Sequence, residues 1–427
     1  MDIERLISAR SRSVNGSGIR RVFEIGAGIP DKVDLSIGQP DFPVPRAIKD
    51  AAIRAIEEDR NGYPLTRGIV ELREALAARL KLDLGWNIGG LPGNLSNTDP
   101  GVVVTSGTSG ALVLACMALL DDGDEVIIPD PYFVLYPHMA ELAKGRAVPC
   151  LTYPDFRLTA ERVEKLITPR TKMVVLNSPS NPAGVVSSEQ ECRDLLDLCR
   201  RREIVLCSDE IYDEFTFSEC RTQPWGTQGS GTPNRSGEQT HRGAKTGLGE
   251  PRLPRLACPS PARFAGAQDT VLVVRGFGKT YGVTGWRLGY ATGPRRLIEE
   301  MTKLQQYLYV SAPHPLQWGV IEALNVDMTP HIAEYQSRRD LVVSTLGKLT
   351  EVPMPGGAFY AFVKVPERLG FPADSRAEEF FKKCVEKRVM IVPGRTFSAR
   401  DTHFRVSFAT PRQKLERGLA AIAELMR

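Results

Sequence analysis

The sequence predicts an α/β protein, in which a large, mostly parallel sheet flanked by helices is followed by a smaller α+β domain. From Arg46 onward, short apolar strands alternate with amphipathic helices, a pattern typical of a parallel sheet covered on both faces. After about residue 312 this alternation gives way to a different order of helices and strands. The chain has 427 residues, 42% of them hydrophobic and 25% charged, which suits about two or three globular domains.

The elements of the first part follow from apolar spacing. Helical spacing predicts helices over Ala47–Glu58, Ile69–Leu82 and Gly110–Leu120, and around Glu189–Arg201. Short apolar runs predict buried strands over Val102–Thr105, Glu125–Ile128, Lys172–Leu176, Ile204–Cys207 and Val271–Val274. In such sheets, ligands bind beyond the carboxyl ends of the strands, so the residues that follow each strand are the candidates for chemistry.

The second part has its own pattern. It predicts a long helix over Pro315–Leu349, a strand over Ala358–Val363, a helix near Ala377–Lys387, strands near Val389–Val392 and over Phe404–Phe408, and a helix from Arg412. We therefore predict three regions. They are an N-terminal arm that also joins the small domain (1–45), a large domain (46–311) and a small C-terminal domain (312–427).

Several classes of protein are disfavoured. The formal net charge is only +4, too weak to indicate nucleic acid or an anionic membrane as a partner. The eight cysteines include no C-x-x-C pair, and Cys192, Cys199 and Cys207 have no histidine at ligand spacing, so we expect reduced thiols and no metal site. The N-terminus lacks an apolar signal region, and no apolar run approaches about 18–20 residues. We expect a cytoplasmic enzyme or sensor.

One segment, from about 219 to 262, does not fit the pattern. It is rich in Gly, Pro, Ser and Thr and has no hydrophobic period. Between Cys220 and Arg263 there are seven basic and two acidic residues, so the basic excess of the chain lies here. It could be a basic arm for an acidic partner or a solvated surface insertion, and we favour the insertion.

The first chemical motif, Thr105–Leu112, follows a strand and opens a helix. Small residues and hydroxyls at a helix N-terminus suit an anion such as phosphate, although similar turns are often purely structural. Asp209 follows the Ile204–Cys207 strand and could face a ligand or cap a helix. Two prolines in the strand-end loop Asn177–Gly184 fix a turn that orients the Asn181 side chain, although such a loop can also be only a turn.

Two cations complete the set of candidates. Lys279 lies in the Gly-rich, apolar loop Gly276–Tyr290, where desolvation would prepare an amine nucleophile, and Arg287 in the same loop is available for a phosphate. Arg405 lies on an otherwise apolar strand, where an arginine usually has a fixed anionic partner such as a carboxylate.

Taken together, these motifs resemble the class I aminotransferases, pyridoxal 5′-phosphate (PLP) enzymes of fold type I. The resemblance runs from about Ile19 to the C-terminus and includes Ile37–Phe42 and the stretch from Tyr63 to Arg73. Within the family, the chain looks similar to the bacterial and archaeal branch of aspartate and aromatic aminotransferases. The resemblance implies a seven-stranded sheet in the large domain and a homodimer with shared active sites.

The resemblance also implies roles for single residues at the cofactor ring. Lys279 would bond covalently to PLP and, once displaced, act as the general acid–base. Asp209 would pair with the pyridine nitrogen and keep the ring an electron sink. Tyr212 and Asn181 would hydrogen-bond the phenolic oxygen of the ring. Tyr132 would stack on the ring face.

At the two anionic ends, the resemblance implies a second set of roles. Thr108, Ser109 and Arg287 would hold the PLP phosphate, and Tyr63 would reach the phosphate of the other subunit. Arg405, helped by the backbone of Gly38, would bind the α-carboxylate of the substrate. Tyr132 and Asn181 would also contact the substrate.

The sequence departs from the family at two positions. Many relatives have serine at one or both of the positions of Gly276 and Gly278, so this chain lacks possible hydroxyl donors beside the cofactor. The insert also falls between Asp209 and Lys279. It must therefore loop outward if both residues are to reach one cofactor.

We expect an aminotransferase that moves an amino group between an amino acid and a 2-oxo acid in a ping-pong cycle. A β-elimination lyase of the same fold type would use the same residues. A PLP-sensing regulator would need a DNA-binding module, for which we expect too few residues before Ile19.

For the substrate we expect broad specificity. Ser109 is uncharged, so aspartate would need a cation such as Arg20 or Arg21 for its second carboxylate. The aromatic residues Tyr307, Tyr309 and Phe359 could favour an apolar or aromatic donor, or could only pack the domain interface.

Overall fold

The structure is a computed structural model that describes residues 1–222 and 258–427. The helices are α1 Ala9–Ser13, α2 Gly18–Ala27, α3 Arg46–Glu57, α4 Val70–Leu84, α5 Gly107–Leu119, α6 Leu135–Leu142, α7 Ala160–Glu164, α8 Glu189–Arg201, α9 Arg295–Leu308, α10 His314–Ala323, α11 Thr329–Leu346, α12 Arg376–Glu386 and α13 Arg412–Met426. The strands are β1 Val33–Asp34, β2 Gly101–Ser106, β3 Glu125–Asp130, β4 Arg146–Leu151, β5 Thr171–Asn177, β6 Val205–Asp209, β7 Val271–Gly276, β8 Leu288–Gly293, β9 Tyr360–Lys364, β10 Val389–Met390, β11 Val392–Pro393 and β12 His403–Ser407.

The largest sheet has seven strands in the order β2-β8-β7-β6-β5-β3-β4. Strand β8 is antiparallel to β2 and β7, and the other neighbours are parallel. This confirms the predicted α/β fold with a mostly parallel, seven-stranded sheet. Because β5, β6 and β7 are parallel neighbours, their carboxyl ends meet at one edge.

Helices cover both faces of this sheet, because successive strand residues belong to opposite cores. Val102 and Val104 belong to one apolar cluster, whereas Val103 between them belongs to another. On the side of Val103, α5 packs against α9 and β8. Such two-sided burial explains why the strands read as nearly continuous apolar runs.

The remaining strands form two small sheets that connect the ends of the chain. Strand β1 pairs with β10 in parallel, and β12 lies between β11 and β9 in an antiparallel sheet. Helices α11 and α12 pack on this part, and α13 contacts α11, α12 and β1. The N-terminal segment thus reaches the C-terminal elements, while the three predicted domain limits stay predictions.

Two elements that the sequence predicts as continuous are each divided into two in the structure. The long helix over Pro315–Leu349 is two helices, α10 and α11. Pro330 lies in the first turn of α11, the place where a missing N–H costs nothing. The single strand near Val389–Val392 is also two, because β10 pairs with β1 and β11 pairs with β12.

The insert predicted over 219–262 lies only partly within the described residues. Residues 223–257 fall outside them, so the basic-arm and solvated-loop interpretations both stay predictions. The two flanks are packed: Cys258 and Ala262 are buried, and Arg263 donates a hydrogen bond to Thr222 Oγ1 at 2.6 Å. Among the described helices, none has the length and apolar character that crossing a membrane requires.

Candidate active site

A cavity of about 290 Å³ lies beyond the carboxyl ends of β5, β6 and β7, against the start of α5. Its lining brings together most of the residues that the sequence singled out, although they come from segments far apart in the chain: Gly38, Thr108, Ser109, Asn181, Asp209, Tyr212, Lys279, Arg287 and Arg405. The parallel strands explain the convergence of Asn181, Asp209 and Lys279, because β5, β6 and β7 end at the same edge of the sheet. Gly38 and Arg405 come instead from the segment after β1 and from β12.

The anion cradle is the first turn of α5 itself. The helix begins at Gly107, three residues before the predicted start, so Thr108 and Ser109 belong to its first turn. Ser106 precedes the helix and makes no side-chain capping bond. Gly107 has φ +66°, and a Cβ there would lie 2.6 Å from the Arg287 guanidinium. First-turn N–H groups and a guanidinium therefore face one point, which suits a phosphate.

Asp209 ends strand β6 and is only 2% exposed. Tyr136 donates a hydrogen bond from its hydroxyl to Asp209 Oδ2 at 2.7 Å, and the backbone N–H of Ile211 donates to Oδ1 at 3.3 Å. Burial nevertheless raises the pKa of Asp209 to about 6. A cation placed beside this carboxylate would therefore stabilise its ionised form.

Lys279 follows strand β7 and extends its amine into the cavity. The amine donates a hydrogen bond to the carbonyl oxygen of Gly38. Burial, and then the positive charges of Arg405 and Arg287, lower the pKa of Lys279 to about 8. A larger fraction of the amine is therefore neutral near pH 7 than in an exposed lysine, as a nucleophile requires.

Arg405 lies on β12 and is 1% exposed. One terminal nitrogen donates to Asn181 Oδ1 at 3.0 Å, and the other donates to the Ser36 carbonyl at 2.7 Å. Its Nε has no hydrogen-bond partner among the described residues. None of these partners is a carboxylate. Because a buried guanidinium is stable only when it is paired, this one fits the carboxylate of a ligand.

Two residues that the resemblance assigns to the cofactor do not line this cavity: Tyr132, and Tyr63, which was expected at the site of the other subunit. Tyr132 does not line the cavity, whereas Phe133 does, because the Tyr132 N–H donates to the Phe397 carbonyl at 2.8 Å and holds the loop there. Tyr63 is 88% exposed and lies outside the cavity of its own chain.

The residues predicted for substrate selection also lie elsewhere. Arg21 pairs with Glu378 on α12, and neither it nor Arg20 lines the cavity. Ile19 and Phe23, on either side of them on α2, line it instead. The lining also excludes three aromatic residues that we expected as candidates: Tyr307, Tyr309 and Phe359.

Sequence reasoning missed three further lining residues: Phe133, Tyr136 and Tyr360. Tyr136 follows the predicted Tyr132 by one helical turn, and Tyr360 follows Phe359 directly. Adjacent aromatic residues were the only signal, and the sequence could not show which of them faces the site.

The fold and the cavity are those of an enzyme: a buried amine with a lowered pKa, a buried carboxylate and two arginines line one cavity, an arrangement that suits a small anionic ligand. Residues 30–422 match the family described as aminotransferase class I and II. The chain belongs to this family and is therefore a transferase of amino groups.

Relatives match over nearly the whole chain. The probable aspartate aminotransferase of Methanocaldococcus jannaschii is 32% identical, over 98% of this chain and all of the relative. The aspartate/prephenate aminotransferase of Thermus thermophilus is 33% identical, over 99% and 98%. The solved structure of the Thermus thermophilus aspartate aminotransferase with maleate superposes with a TM-score of 0.81 at 32% identity, covering 98% of this chain and 99% of that one.

Proposed function

We propose that this aminotransferase uses PLP and moves an amino group from an L-amino acid to a 2-oxo acid in a ping-pong cycle. One observation carries the proposal: Lys279, the buried Asp209 carboxylate, the first turn of α5 and Arg405, whose bonded partners are an amide and a backbone carbonyl, all line one cavity. When bound, PLP supplies an electron-withdrawing ring that stabilises negative charge at the substrate Cα.

Two groups of residues fit the two ends of PLP: the first turn of α5 with Arg287 suits the phosphate, and Asp209 suits the pyridine nitrogen. Thr108, Ser109 and Arg287 would hold the phosphate, because the absence of a Cβ at Gly107 leaves the guanidinium against the first turn of α5. Asp209 would accept a hydrogen bond from the protonated pyridine nitrogen, which is the cation that its raised pKa calls for.

Three other side chains would orient the ring. Tyr212 and Asn181 would hydrogen-bond its phenolic oxygen, since both line the cavity next to Arg405. Phe133 takes the place that the sequence assigned to Tyr132, and would pack on the ring face.

Lys279 would be both the covalent anchor of the cofactor and the base. After displacement, its neutral amine would take the proton from the substrate Cα and return it to the carbon that receives the amino group. A pKa near 8 suits both directions of this transfer, because the two protonation states are then close in free energy at neutral pH.

For the substrate, we propose Arg405 as the partner of the α-carboxylate, with the backbone at Gly38 beside it. Broad specificity without a strong aspartate preference is supported by the apolar side chains of Ile19 and Phe23 and by the uncharged Ser109. A second carboxylate in this cavity would lack a partner beyond those that hold PLP and the α-carboxylate, in the part of the chain that the structure describes.

We further propose a cytoplasmic homodimer with shared sites. Tyr63, Leu65 and Tyr307 are all strongly exposed, which is typical of an interface and supports the prediction that Tyr63 reaches the phosphate bound to the partner subunit. The eight cysteines are all free thiols, which supports a reducing compartment.

The experiment is a single half-reaction of the PLP-loaded protein with one amino acid at a time. An aminotransferase converts the bound cofactor to its amine form and releases the matching 2-oxo acid, whereas a β-elimination lyase releases pyruvate and ammonia. Phenylalanine, leucine, alanine and aspartate should react with kcat/KM values within about 1,000-fold, roughly 4 kcal/mol.

Two variants serve as controls for this assay. Lys279→Ala should bind PLP without the covalent link and lose turnover, and normal transamination by it would refute the assignment. Asp209→Ala should retain PLP but lose most of kcat, because an unprotonated pyridine is a poor electron sink.

A further inference from the structure

Tyr360, the first residue of β9, lines the cavity but has no role in the proposed function so far. Its side chain is 1% exposed. The hydroxyl lies 3.1 Å from the hydroxyl of Tyr212, and its ring lies 4.4 Å from the guanidinium carbon of Arg405. One side chain thus contacts both a proposed cofactor ligand and the proposed carboxylate ligand.

We propose that Tyr360 is a positioning residue with two separable contributions: its hydroxyl directs the Tyr212 proton into the cavity, and its ring holds Arg405 in place for the substrate carboxylate. This inference rests on the proposed function, because it assigns an effect on bound PLP and on a bound carboxylate.

The hydroxyl contribution follows from the protonation states. Burial raises the pKa of Tyr360, and burial together with Tyr360 raises the pKa of Tyr212 well above its usual value, so both stay neutral. One hydroxyl must then donate to the other. If Tyr360 donates, the Tyr212 proton remains free for a ligand, and the donated bond strengthens Tyr212 as a donor.

The surroundings of the pair favour this direction. The charged groups around it are Arg405, Asp209 and Lys279. The Arg405 guanidinium, 4.4 Å from the Tyr360 ring, opposes the effect of burial on the pKa of Tyr360, whereas the Asp209 carboxylate adds to the raised pKa of Tyr212. Tyr360 is therefore the more acidic hydroxyl and the better donor of the pair.

The ring contribution follows from the contacts of Arg405. Its guanidinium carbon lies over two aromatic rings, that of Tyr360 and that of Phe397 at 4.9 Å. Its two terminal nitrogens are held by Asn181 and Ser36. Aromatic rings against the guanidinium hold it in one orientation while no carboxylate is bound.

Two variants separate the contributions. Tyr360→Phe removes the hydroxyl and keeps the ring, whereas Tyr360→Leu removes both. The first readout is a pH titration of the absorbance of lysine-bound PLP. A donor to the phenolic oxygen weakens the hold of that oxygen on the shared proton, so losing Tyr212 donation raises the pKa of the chromophore.

The second readout is the Kd of 3-phenylpropionate, a carboxylate that carries no amino group to transfer. Tyr360→Phe should raise the chromophore pKa by about 0.5–1 and change the Kd less than about twofold. Tyr360→Leu should also raise the Kd about tenfold, because Arg405 loses one of its two rings.

Tyr212→Phe provides the matched control. It should produce a chromophore shift at least as large, and adding Tyr360→Phe to it should produce no further shift, because the hydroxyl acts through Tyr212. An unchanged titration in Tyr360→Phe, or an additive shift in the double variant, would overturn the hydroxyl contribution. An unchanged Kd in Tyr360→Leu would overturn the ring contribution.

Two further results keep the inference testable. If Tyr360→Leu does not fold, Tyr360→Met fills more of the ring volume and should show the same loss of carboxylate affinity. If the wild-type protein forms no lysine-bound chromophore with PLP, the proposed function fails and this inference fails with it. If the wild-type protein forms the chromophore normally and the Tyr360 variants match it in chromophore pKa and in the Kd of 3-phenylpropionate, this inference is contradicted and the proposed function is not.

Discussion

At the residue scale, three basic side chains and one carboxylate line the cavity. Lys279, Arg287 and Arg405 line it together with Asp209. The two arginines disfavour a third positive charge, and this repulsion adds to burial in lowering the pKa of the lysine. The excess of positive charge explains why the site should attract anionic ligands, and it makes the amine reactive before any ligand arrives.

The first prediction concerns this amine. In PLP-free protein, the initial rate of covalent PLP capture should rise with pH, reach half of its maximum near pH 8, the lowered pKa of Lys279, and level off about one pH unit higher, where most of the amine is neutral. Stopped-flow absorbance at a series of pH values measures the rate. A rate that continues to rise toward pH 10, as for an ordinary lysine, would contradict the lowered pKa.

The second prediction concerns Gly278. A Cβ there would meet Thr284 at 3.4 Å, an ordinary contact, so Gly278→Ser can be accommodated at the edge of the cavity. Its hydroxyl would lie beside Thr284, on a lining that also includes Arg287. A bond from it to the phosphate should lower the Kd of PLP about tenfold, since a hydrogen bond to a charged group contributes about 1.5–3 kcal/mol. Equilibrium dialysis measures the Kd. Gly278→Ala adds the Cβ without the hydroxyl, and an equal gain from it would attribute the effect to packing.

At the element scale, a buried network of ion pairs lies where β6 and β7 end at the edge of the sheet. Arg275 on β7 contacts Glu210 and Asp83, each at 2.9 Å, and Asp213 at 3.4 Å. Glu210 directly follows Asp209, and its backbone N–H donates to the Val274 carbonyl. The network therefore joins β6, which ends at Asp209, to β7, which leads to Lys279.

The third prediction tests this network. Arg275→Met leaves several buried carboxylates without their central cation and should lower the free energy of unfolding by about 3–5 kcal/mol. Urea unfolding followed by circular dichroism measures the change. Arg296→Met removes a cation that is exposed, and should leave the unfolding midpoint nearly unchanged. Equal effects of the two variants would refute the special role of the buried network.

The flanks of the insert belong to the same region of the fold. Ser260 donates its hydroxyl hydrogen to Glu210, and Glu219 pairs with Arg339. Deleting the whole predicted insert, from 219 to 262, would therefore remove packed side chains. The described contacts favour shorter limits, between Thr222 and Cys258.

The fourth prediction uses these limits. Replacing residues 223–257 with a short Gly–Ser linker should leave the melting temperature and kcat nearly unchanged, because a segment rich in Pro and Gly without a period cannot build a core. Thermal unfolding and the half-reaction assay provide the measurements. Deleting 219–262 is the control and should destabilise the fold. Loss of soluble protein with the shorter deletion would show that the insert is structural.

At the scale of the whole molecule, one exposed apolar surface lies beside the active site. We define it by Tyr63, Leu65, Tyr307, Leu308 and Val310. His314 contacts the Gly62 carbonyl at 2.8 Å, and Gln305 donates to the Thr66 carbonyl at 2.6 Å, which joins the two segments. Tyr309, which lies between Leu308 and Val310 in the sequence, contacts Gly110 in the first part of α5. The surface thus adjoins the first turns of α5, at the edge of the cavity.

The fifth prediction follows from this surface. The protein should have twice the chain mass of 47.1 kDa in light scattering, and Leu65→Asp combined with Tyr307→Asp should shift it toward the monomer. The same double variant should bind PLP more weakly, since the partner subunit would no longer contribute Tyr63. Met354→Asp changes an exposed apolar residue outside this surface and is the matched control. A monomeric wild-type protein would refute the dimer.

The sequence by itself determined the α/β class, most strand positions and the residues at the strand ends. Asp209, Lys279 and Arg405 could be predicted from local signals: the first two come after apolar strands, and Arg405 is a charged residue within an otherwise apolar strand. Hydrophobic periodicity and the chemistry of single side chains are local properties, so they can be recognised without knowing which distant residues pack against them. For the same reason the insert was recognised as foreign to the pattern.

Only the tertiary structure decided the partners. Tyr136 reaches Asp209 across 73 positions of the chain, and Tyr360 reaches Tyr212 across 148. Whether Phe133 or Tyr132 faces the cavity depends on a bond to the distant Phe397 carbonyl, and Arg21 is drawn away by Glu378. Side-chain direction is set by packing between segments far apart in sequence, and no local pattern records those contacts.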